Sequence, residues 1–333
     1  MRSGFVSIIG RPNAGKSTLI NALVGEKVAI VTAKPQTTRT RINGILEVAA
    51  VKGKHPAAQI VFVDTPGVHK PGTSLDKRMM QEVHDALETR DAVLLIVDAT
   101  RRLELPEPGV ETPRGKNASA GEDAFVFELL RKLDCPVFLL INKIDLVERA
   151  KLLPLIQQLS ALHEFTEVIP ISARKRDGLD RLLEKLIDVL PKGERYFPKD
   201  QFTDQPERFL VAELIRERIL VETGEEVPYA SAVAIERFEE PRPGSKAPLT
   251  RIAAVIYCER TGQKAILIGK GGSKLKAIGT GARKEIESLL GTRVFLELHV
   301  IVKENWRDSR GFVESLDWRR QLEDLAAKED RKE

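Results

Sequence analysis

Three short segments carry residue types whose order and spacing suit the binding of a phosphorylated nucleotide. Residues 10–17 read GRPNAGKS, 64–67 read DTPG and 142–145 read NKID. The first fits G-x-x-x-x-G-K-[ST], a loop whose backbone N–H groups wrap phosphate while a lysine reaches the β/γ oxygens and a hydroxyl ligates Mg²⁺. Gly10 and Gly15 let the backbone approach the phosphates with no Cβ in the way. Arg11, Pro12, Asn13 and Ala14 form the rest of the cradle. Lys16 supplies a mobile positive charge, Ser17 the metal-binding hydroxyl, and Thr18 follows it into a helix whose positive end faces the same anion.

In DTPG, Asp64 ends an apolar run and is expected to hold the Mg²⁺ hydration shell, followed by Thr65, Pro66 and Gly67. The Gly67 N–H is the expected donor to the γ-phosphate, which links nucleotide state to the segment after it. In NKID, Asp145 can accept from guanine N1–H and N2–H₂, while Asn142 buttresses the loop and Lys143 and Ile144 complete it. Adenine lacks that donor pair, and a site built this way discriminates by roughly 10⁴–10⁵. Ser172 and Ala173, in VIPISAR, are placed to contact guanine O6. Between the first two motifs lies TAKPQTTRTRI (32–42). One threonine there should complete the metal shell and sense the γ-phosphate, Thr38 in the first instance and Thr37 as the alternative. Lys16, Thr38 and Gly67 are therefore the expected catalytic set.

Val68 stands where many switch GTPases place a glutamine that orients the attacking water. An aliphatic side chain cannot do this, so slow intrinsic hydrolysis is expected. Water would then be positioned by backbone, by a partner or by a monovalent cation, with Asn13 a candidate K⁺ ligand.

Positioning these motifs requires strands that end just before them. Short apolar runs at Phe5–Gly10, Gln59–Asp64, Ala92–Asp98, Pro136–Asn142 and Val168–Ser172 alternate with helical segments, the pattern of a parallel sheet covered on both faces. Gly44–Lys52 is expected as an antiparallel edge strand. Each motif falls past the C-terminal end of a run, where open α/β sheets bind ligands. The expected fold is an N-terminal α/β P-loop domain over 1–190, mostly parallel with helices on both faces. A Pro- and charge-rich linker follows at 191–206, then an α+β unit over 207–305 and a charged helix or tail over 306–333. A Gly/Pro-rich loop is expected at 101–121.

The α+β unit holds ILIGKGGSKLKAIGTGARKEIESLLG, in which a G-x-x-G turn (Gly269, Lys270, Gly271, Gly272) joins an apolar helix to a basic one. In a type II KH domain such a turn clamps nucleic-acid backbone. Lys270, Lys274 and Lys276 supply charge, and Ile266, Ile268, Leu275 and Ile278 are expected to line a groove for bases. Across 251–295 nine basic residues face three acidic ones, although the net charge of the 333-residue chain is only +4. That local excess is the footprint of a nucleic-acid binder. The 42% apolar and 31% charged content is that of a folded globular chain. Two distant cysteines and five histidines without ligand spacing argue against disulfides and zinc. No apolar run approaches the ~18 residues of a membrane span, so a cytoplasmic protein is expected.

One such KH unit after one P-loop domain resembles the Era family of bacterial ribosome-assembly GTPases. The residues that carry the likeness are GRPNAGKST, KPQTTRTRI, DTPGVHKP, NKID, ISA and IGKGGSKLKAIGTGARKEIE, over about residues 4–305. The resemblance implies GTP binding and hydrolysis to GDP with Mg²⁺. It also implies a grip by the KH unit on the 3′ end of 16S rRNA during 30S maturation and peripheral contact with the inner membrane; a monomer is expected. The 101–121 loop and the charged tail after Gly311 are longer than the family pattern. The alternative reading is a constitutive RNA-binding module whose nucleotide is mainly structural; a membrane-transport GTPase is disfavoured by the lack of spans.

Overall fold

The computed structural model describes residues 1–34, 36–68, 72–101, 118–224, 226–241, 244 and 248–321. Most of the 101–121 segment and the last twelve residues of the charged tail lie outside that set. Two compact units result, one from residues 1–71 and 79–204, the other from 72–78 and 205 onward.

The first unit is built on six strands in the order β2-β3-β1-β4-β5-β6. These are β1 (Arg2–Ile9), β2 (Ile42–Val48), β3 (Ala58–Asp64), β4 (Ala92–Asp98), β5 (Val137–Asn142) and β6 (Glu167–Pro170). All run parallel except the edge strand β2, which pairs antiparallel with β3 from Ile42 opposite Asp64 to Val48 opposite Ala58. Every residue of β3 and β5 is buried, as expected of strands covered on both faces. The covering helices are α1 (Lys16–Val24), α2 (Ser74–Glu88), which belongs to this unit from Met79 on, α3 (Ala118–Leu130), α4 (Arg149–Ser160) and α5 (Leu179–Val189). From β1 the sheet grows outward in both directions, to β3 and to β4, so the loop after β1 opens at the topological switch point.

β2 stops at Val48, short of the expected Lys52. Residues 51–55 fold into a tight turn closed by Val51 and His55, with Gly53 left-handed at φ 79°. The segment after α5 is also not a free spacer. Ile45 N–H donates to the Phe202 carbonyl, the Thr203 hydroxyl donates to Asn43, and buried Gln59 bonds the backbone of Tyr196 and Phe197. Residues 191–204 thus strap the open edge of β2, which protects an otherwise unpaired strand.

The second unit runs α6 (Glu207–Glu222), β7 (Ala232–Glu239), β8 (Leu249–Cys258), α7 (Thr261–Ile268), α8 (Ser273–Leu290), β9 (Arg293–Val302) and α9 (Arg310–Ser315). β7 is antiparallel and β9 parallel to the central β8. Alternate β8 residues Thr250, Ile252, Ala254, Ile256 and Cys258 are buried, as are Val211, Ile215 and Ile219 of α6 and Ala282 and Ile286 of α8. Ile278 is fully buried as well and is a core residue, not a wall of the expected base groove; helical spacing alone cannot separate the two apolar faces of α8. The expected tail from 306 begins instead with packed chain. Trp306 is fully buried, its indole N–H donates to the Ala230 carbonyl at 2.8 Å, and Phe312 packs against it and Tyr257. An indole of this size is too apolar to leave in water.

Candidate functional site

The phosphate loop takes shape because two glycines have no room for a side chain. A Cβ on Gly10 would lie 2.4 Å from the Ile96 carbonyl oxygen, and one on Gly15 would lie 2.2 Å from the Asn142 amide. Asn13 adopts a left-handed backbone (φ 63°) between them and donates from Nδ2 to Ala33 O at 2.8 Å. Lys16 is buried, and its ammonium donates to the carbonyls of Gly10 and Arg11 at 3.0 and 3.1 Å. Burial lowers its pKa to about 8, opposed by the Asp64 carboxylate. A cation held at this cost is poised for a strong anion.

Ser17 Oγ lies 2.8 Å from Asp64 Oδ2 and 2.9 Å from Thr38 Oγ1, and Thr38 Oγ1 lies 3.1 Å from the same carboxylate oxygen. Asp64 is fully buried, and its Oδ1 has no hydrogen-bond partner among the described residues. Burial raises its pKa, partly offset by Lys16, Ser17 and Thr38. Two hydroxyls and a buried, under-satisfied carboxylate form an all-oxygen set that fits Mg²⁺, a hard ion that takes few protein ligands and keeps water. Thr37 also lines the cleft, but its hydroxyl donates to Lys34 O at 2.8 Å instead of joining this cluster. Gly67 packs on the phosphate loop: a Cβ there would sit 2.9 Å from Pro12 Cα. Thr65 is buried and donates to Ile8 O at 2.8 Å, and Pro66 is also buried. Val68 is fully buried among Ile9, Met80, Val83 and Leu95, so it presents no side chain to the loop.

At the other end Asn142 donates to Ala14 O at 2.9 Å and accepts from Ala173 N at 3.0 Å. Lys143 is left-handed (φ 67°) and leads into a 3-10 turn, Ile144–Leu146, with Ile144 N–H bonded to Ile171 O. Asp145 accepts from buried Ser172 through Oδ1 at 2.7 Å. The Lys143 ammonium lies 2.6 Å from Asp98 Oδ2, at the end of β4. Burial pushes the Asp98 pKa up, but Lys143 and the hydroxyl and N–H of Thr100 outweigh it and hold the carboxyl below its usual range. A cleft of about 660 Å³ runs from Lys16, Ser17 and Thr18 past Thr38 and Gly67 to Asp98, Lys143 and Asp145. That is the size range of a small-molecule or cofactor site.

In the second unit Gly269, Gly271 and Gly272 all have positive φ (70°, 58° and 80°), giving a sharp turn between α7 and α8. Lys270 and Lys276 are exposed, and half-buried Lys274 lies 3.9 Å from Glu222. Ile266 is exposed and Ile268 and Leu275 half-buried beside the turn.

A family model described as 50S ribosome-binding GTPase matches residues 5–143, and one described as KH domain matches 226–307. The chain is 41% identical to GTPase Era of Ruminiclostridium cellulolyticum over 318 residues, covering 96% of this chain and 98% of the relative. It is 48% identical to GTPase Era of Lacticaseibacillus paracasei over 314 residues, covering 94% and 96%. This chain belongs to the Era family of GTPases.

Two solved Era structures resemble this Era-family chain along most of its length. A variant of Aquifex aeolicus Era bound to GDP·AlF4− superposes with a TM-score of 0.83 at 38% identity, covering 94% of this chain and 98% of the other. An Era in complex with MgGDPNP and nucleotides 1506–1542 of 16S ribosomal RNA gives 0.82 at 39%, with the same coverage. In the present Era-family chain, Asp98 and Thr100 line the cleft although no motif marks them. The one sequence signal was the position of Asp98 at the C-terminal end of a buried strand.

Proposed function

We propose that this Era-family GTPase is a switch in which GTP, held with Mg²⁺, orders the 32–42 segment, and that its KH unit binds the 3′-terminal region of 16S rRNA during 30S subunit assembly. The observation that carries the reading is Thr38, which comes from the segment between the first two motifs yet lies within 3.1 Å of both Ser17 and Asp64. Any ligand that pulls on this cluster also pulls on the loop. The Era relative carrying both MgGDPNP and a 16S rRNA fragment supports the choice of RNA.

Lys16 and the phosphate-loop N–H groups would bind the β/γ-phosphates, Asp145 and Asn142 the guanine, with Ser172 and Ala173 closing over the base. Ser17, Thr38 and, through water, Asp64 would hold Mg²⁺, which supplies neutralisation of phosphate charge. Val68 is buried in the core and cannot orient water, which supports slow intrinsic turnover. Asn13 as a K⁺ ligand belongs to the same reading, and equal rates in KCl and NaCl would remove it. A cytoplasmic monomer belongs to the same reading, its location drawn from the apolar pattern of the sequence; peripheral contact to the inner membrane follows from the family resemblance alone. Gly269, Lys270, Gly271, Gly272, Lys274 and Lys276 would grip the RNA backbone.

The test is the affinity of the full chain for an oligonucleotide of the 16S 3′ end, with GDP and with a non-hydrolysable GTP analogue. A switch gives different affinities. Equal affinities favour a constitutive RNA-binding module whose nucleotide is structural.

A further inference from the structure

We propose that Asp98 is a positioning residue for guanine-nucleotide binding, acting through Lys143 on the base-reading turn. The inference rests on the reading of the cleft as a guanine-nucleotide site. Asp98 is only 6% exposed and is itself rigidly held. Its Oδ1 accepts from Thr100 N at 2.9 Å and Thr100 Oγ1 at 2.7 Å, and its Oδ2 takes the Lys143 ammonium at 2.6 Å. The carboxylate is therefore a fixed point on the rigid central sheet, in the strand adjacent to β5.

Lys143 needs such a point. Its backbone lies in the left-handed region (φ 67°), which is strained for a residue with a Cβ. That reversal sets Asn142 toward the phosphate loop and carries Asp145 into the cleft. Anchoring the side chain at Asp98 holds the reversed turn in place from the outside. It also engages the ammonium at the end of the side chain, and Lys143 lines the same cleft as Asp98 and Asp145. A long side chain pinned by its charged head offers an apolar surface suited to the face of a planar base. The lowered pKa of Asp98, against the effect of its burial, agrees with a carboxylate kept ionised for this pairing.

The test compares GDP affinity and steady-state GTP hydrolysis in Asp98→Ala, Lys143→Ala and the double variant of the full chain. Asp98→Ala should weaken GDP binding and raise KM about 10- to 100-fold, the worth of a charge-assisted hydrogen bond, with kcat retained at saturating GTP. The double variant should bind no worse than Lys143→Ala, because the Asp98–Lys143 pair is lost in both single variants. Asp98→Asn keeps the size and the acceptor for Thr100 and should fall between wild type and Asp98→Ala; it serves if Asp98→Ala does not fold. Additive losses in the double variant, or a fall in kcat at unchanged KM, overturn the proposal. So does unchanged GDP affinity in Asp98→Ala while the wild type binds tightly. Failure of the wild type to bind GDP would overturn the nucleotide assignment, and this inference with it.

Discussion

The Asn142 side chain donates to the Ala14 carbonyl at 2.9 Å and accepts from the Ala173 N–H at 3.0 Å, so one amide fastens the NKID turn to two other loops. Asn142→Ala leaves two buried backbone groups unpaired, each costing about 1–3 kcal/mol. GDP affinity should fall at least about tenfold, and the melting temperature of the nucleotide-free protein should drop. Asn142→Asp should be as damaging, because a carboxylate oxygen would then face the Ala14 carbonyl. Fluorescence titration with a labelled GDP and a thermal melt check both; wild-type affinity in either variant contradicts the bracing role.

The two threonines of the 32–42 segment separate cleanly by geometry. Thr38 joins Ser17 and Asp64, whereas Thr37 is used by Lys34 O. Thr38→Ala should therefore lose most GTP hydrolysis and require more Mg²⁺, and Thr38→Ser should recover much of it. Thr37→Ala should remain within a few-fold of wild type. Mg²⁺ titrations of single-turnover hydrolysis distinguish the pair, and equal losses would mean that the segment rearranges when nucleotide binds.

Lys16 gives a pH signature. Burial brings its pKa to about 8 in the ligand-free protein, and bound phosphate must raise it again. Binding is then insensitive to pH well below 8. Above 8 it requires proton uptake, so GDP affinity should weaken by up to about tenfold per pH unit. Stability of the ligand-free fold runs the other way. The folded state binds fewer protons than the unfolded chain between about 8 and the ordinary lysine value of 10.5, so Lys16 contributes a gain in stability as pH rises through that window. Calorimetry in buffers of different ionisation enthalpy measures the proton uptake; none at pH 9 would contradict a buried, partly neutral Lys16.

Residues whose chemistry is local were legible in the sequence, and those defined by a distant partner were not. GRPNAGKS and NKID announce themselves by spacing, and β3, β4 and β5 by unbroken apolar runs. Asp98 looked like the last residue of a strand, because its partner Lys143 lies 45 positions on. The 191–206 segment has a spacer's composition, yet its backbone bonds to β2 and β3 only after the sheet has formed. Trp306 sits in charged sequence, and only the folded second unit supplies the Ala230 carbonyl and the ring of Phe312. Likewise, the apolar pattern of α8 marks Ile278 as inward or outward only once a sheet covers one side.

Glu82 is another residue that no motif marks. On α2 it is 2% exposed, and it accepts from the Arg41 N–H at 3.2 Å while the Arg41 guanidinium lies 3.6 Å away. It anchors the end of the 32–42 segment just past Thr38. Arg41 is partly exposed, so losing this pair should cost less than the roughly 3–5 kcal/mol of a fully buried one, about 1–2 kcal/mol. Glu82→Ala should lower the melting temperature by a few degrees, at about 2–4 °C per kcal/mol, and reduce Mg²⁺ affinity through Thr38. Glu82→Gln retains an acceptor for the N–H and should do less of both. Loss of stability with Mg²⁺ affinity unchanged would restrict Glu82 to the core.

The three glycines of the GKGG turn are not equivalent. A Cβ on Gly269 would lie 2.7 Å from Lys274 Cβ and 2.9 Å from its backbone nitrogen, whereas none of the described residues crowds a Cβ on Gly271 or Gly272. Gly269→Ala must therefore displace the start of α8, and it should lower both RNA affinity and the melting temperature. Gly271→Ala meets only the left-handed strain of φ 58°, about 1 kcal/mol, and should bind RNA nearly as well as wild type. Gly271→Asp adds a negative charge beside Lys270 and should weaken RNA binding most at low salt. Lys270→Ala should remove one phosphate contact and reduce the slope of log affinity against log salt by about one. Titrations of a 16S 3′-end oligonucleotide at several salt concentrations read all four variants. If Gly271→Asp and Gly271→Ala lose affinity equally at every salt, the turn acts through its shape and not through charge near the RNA backbone.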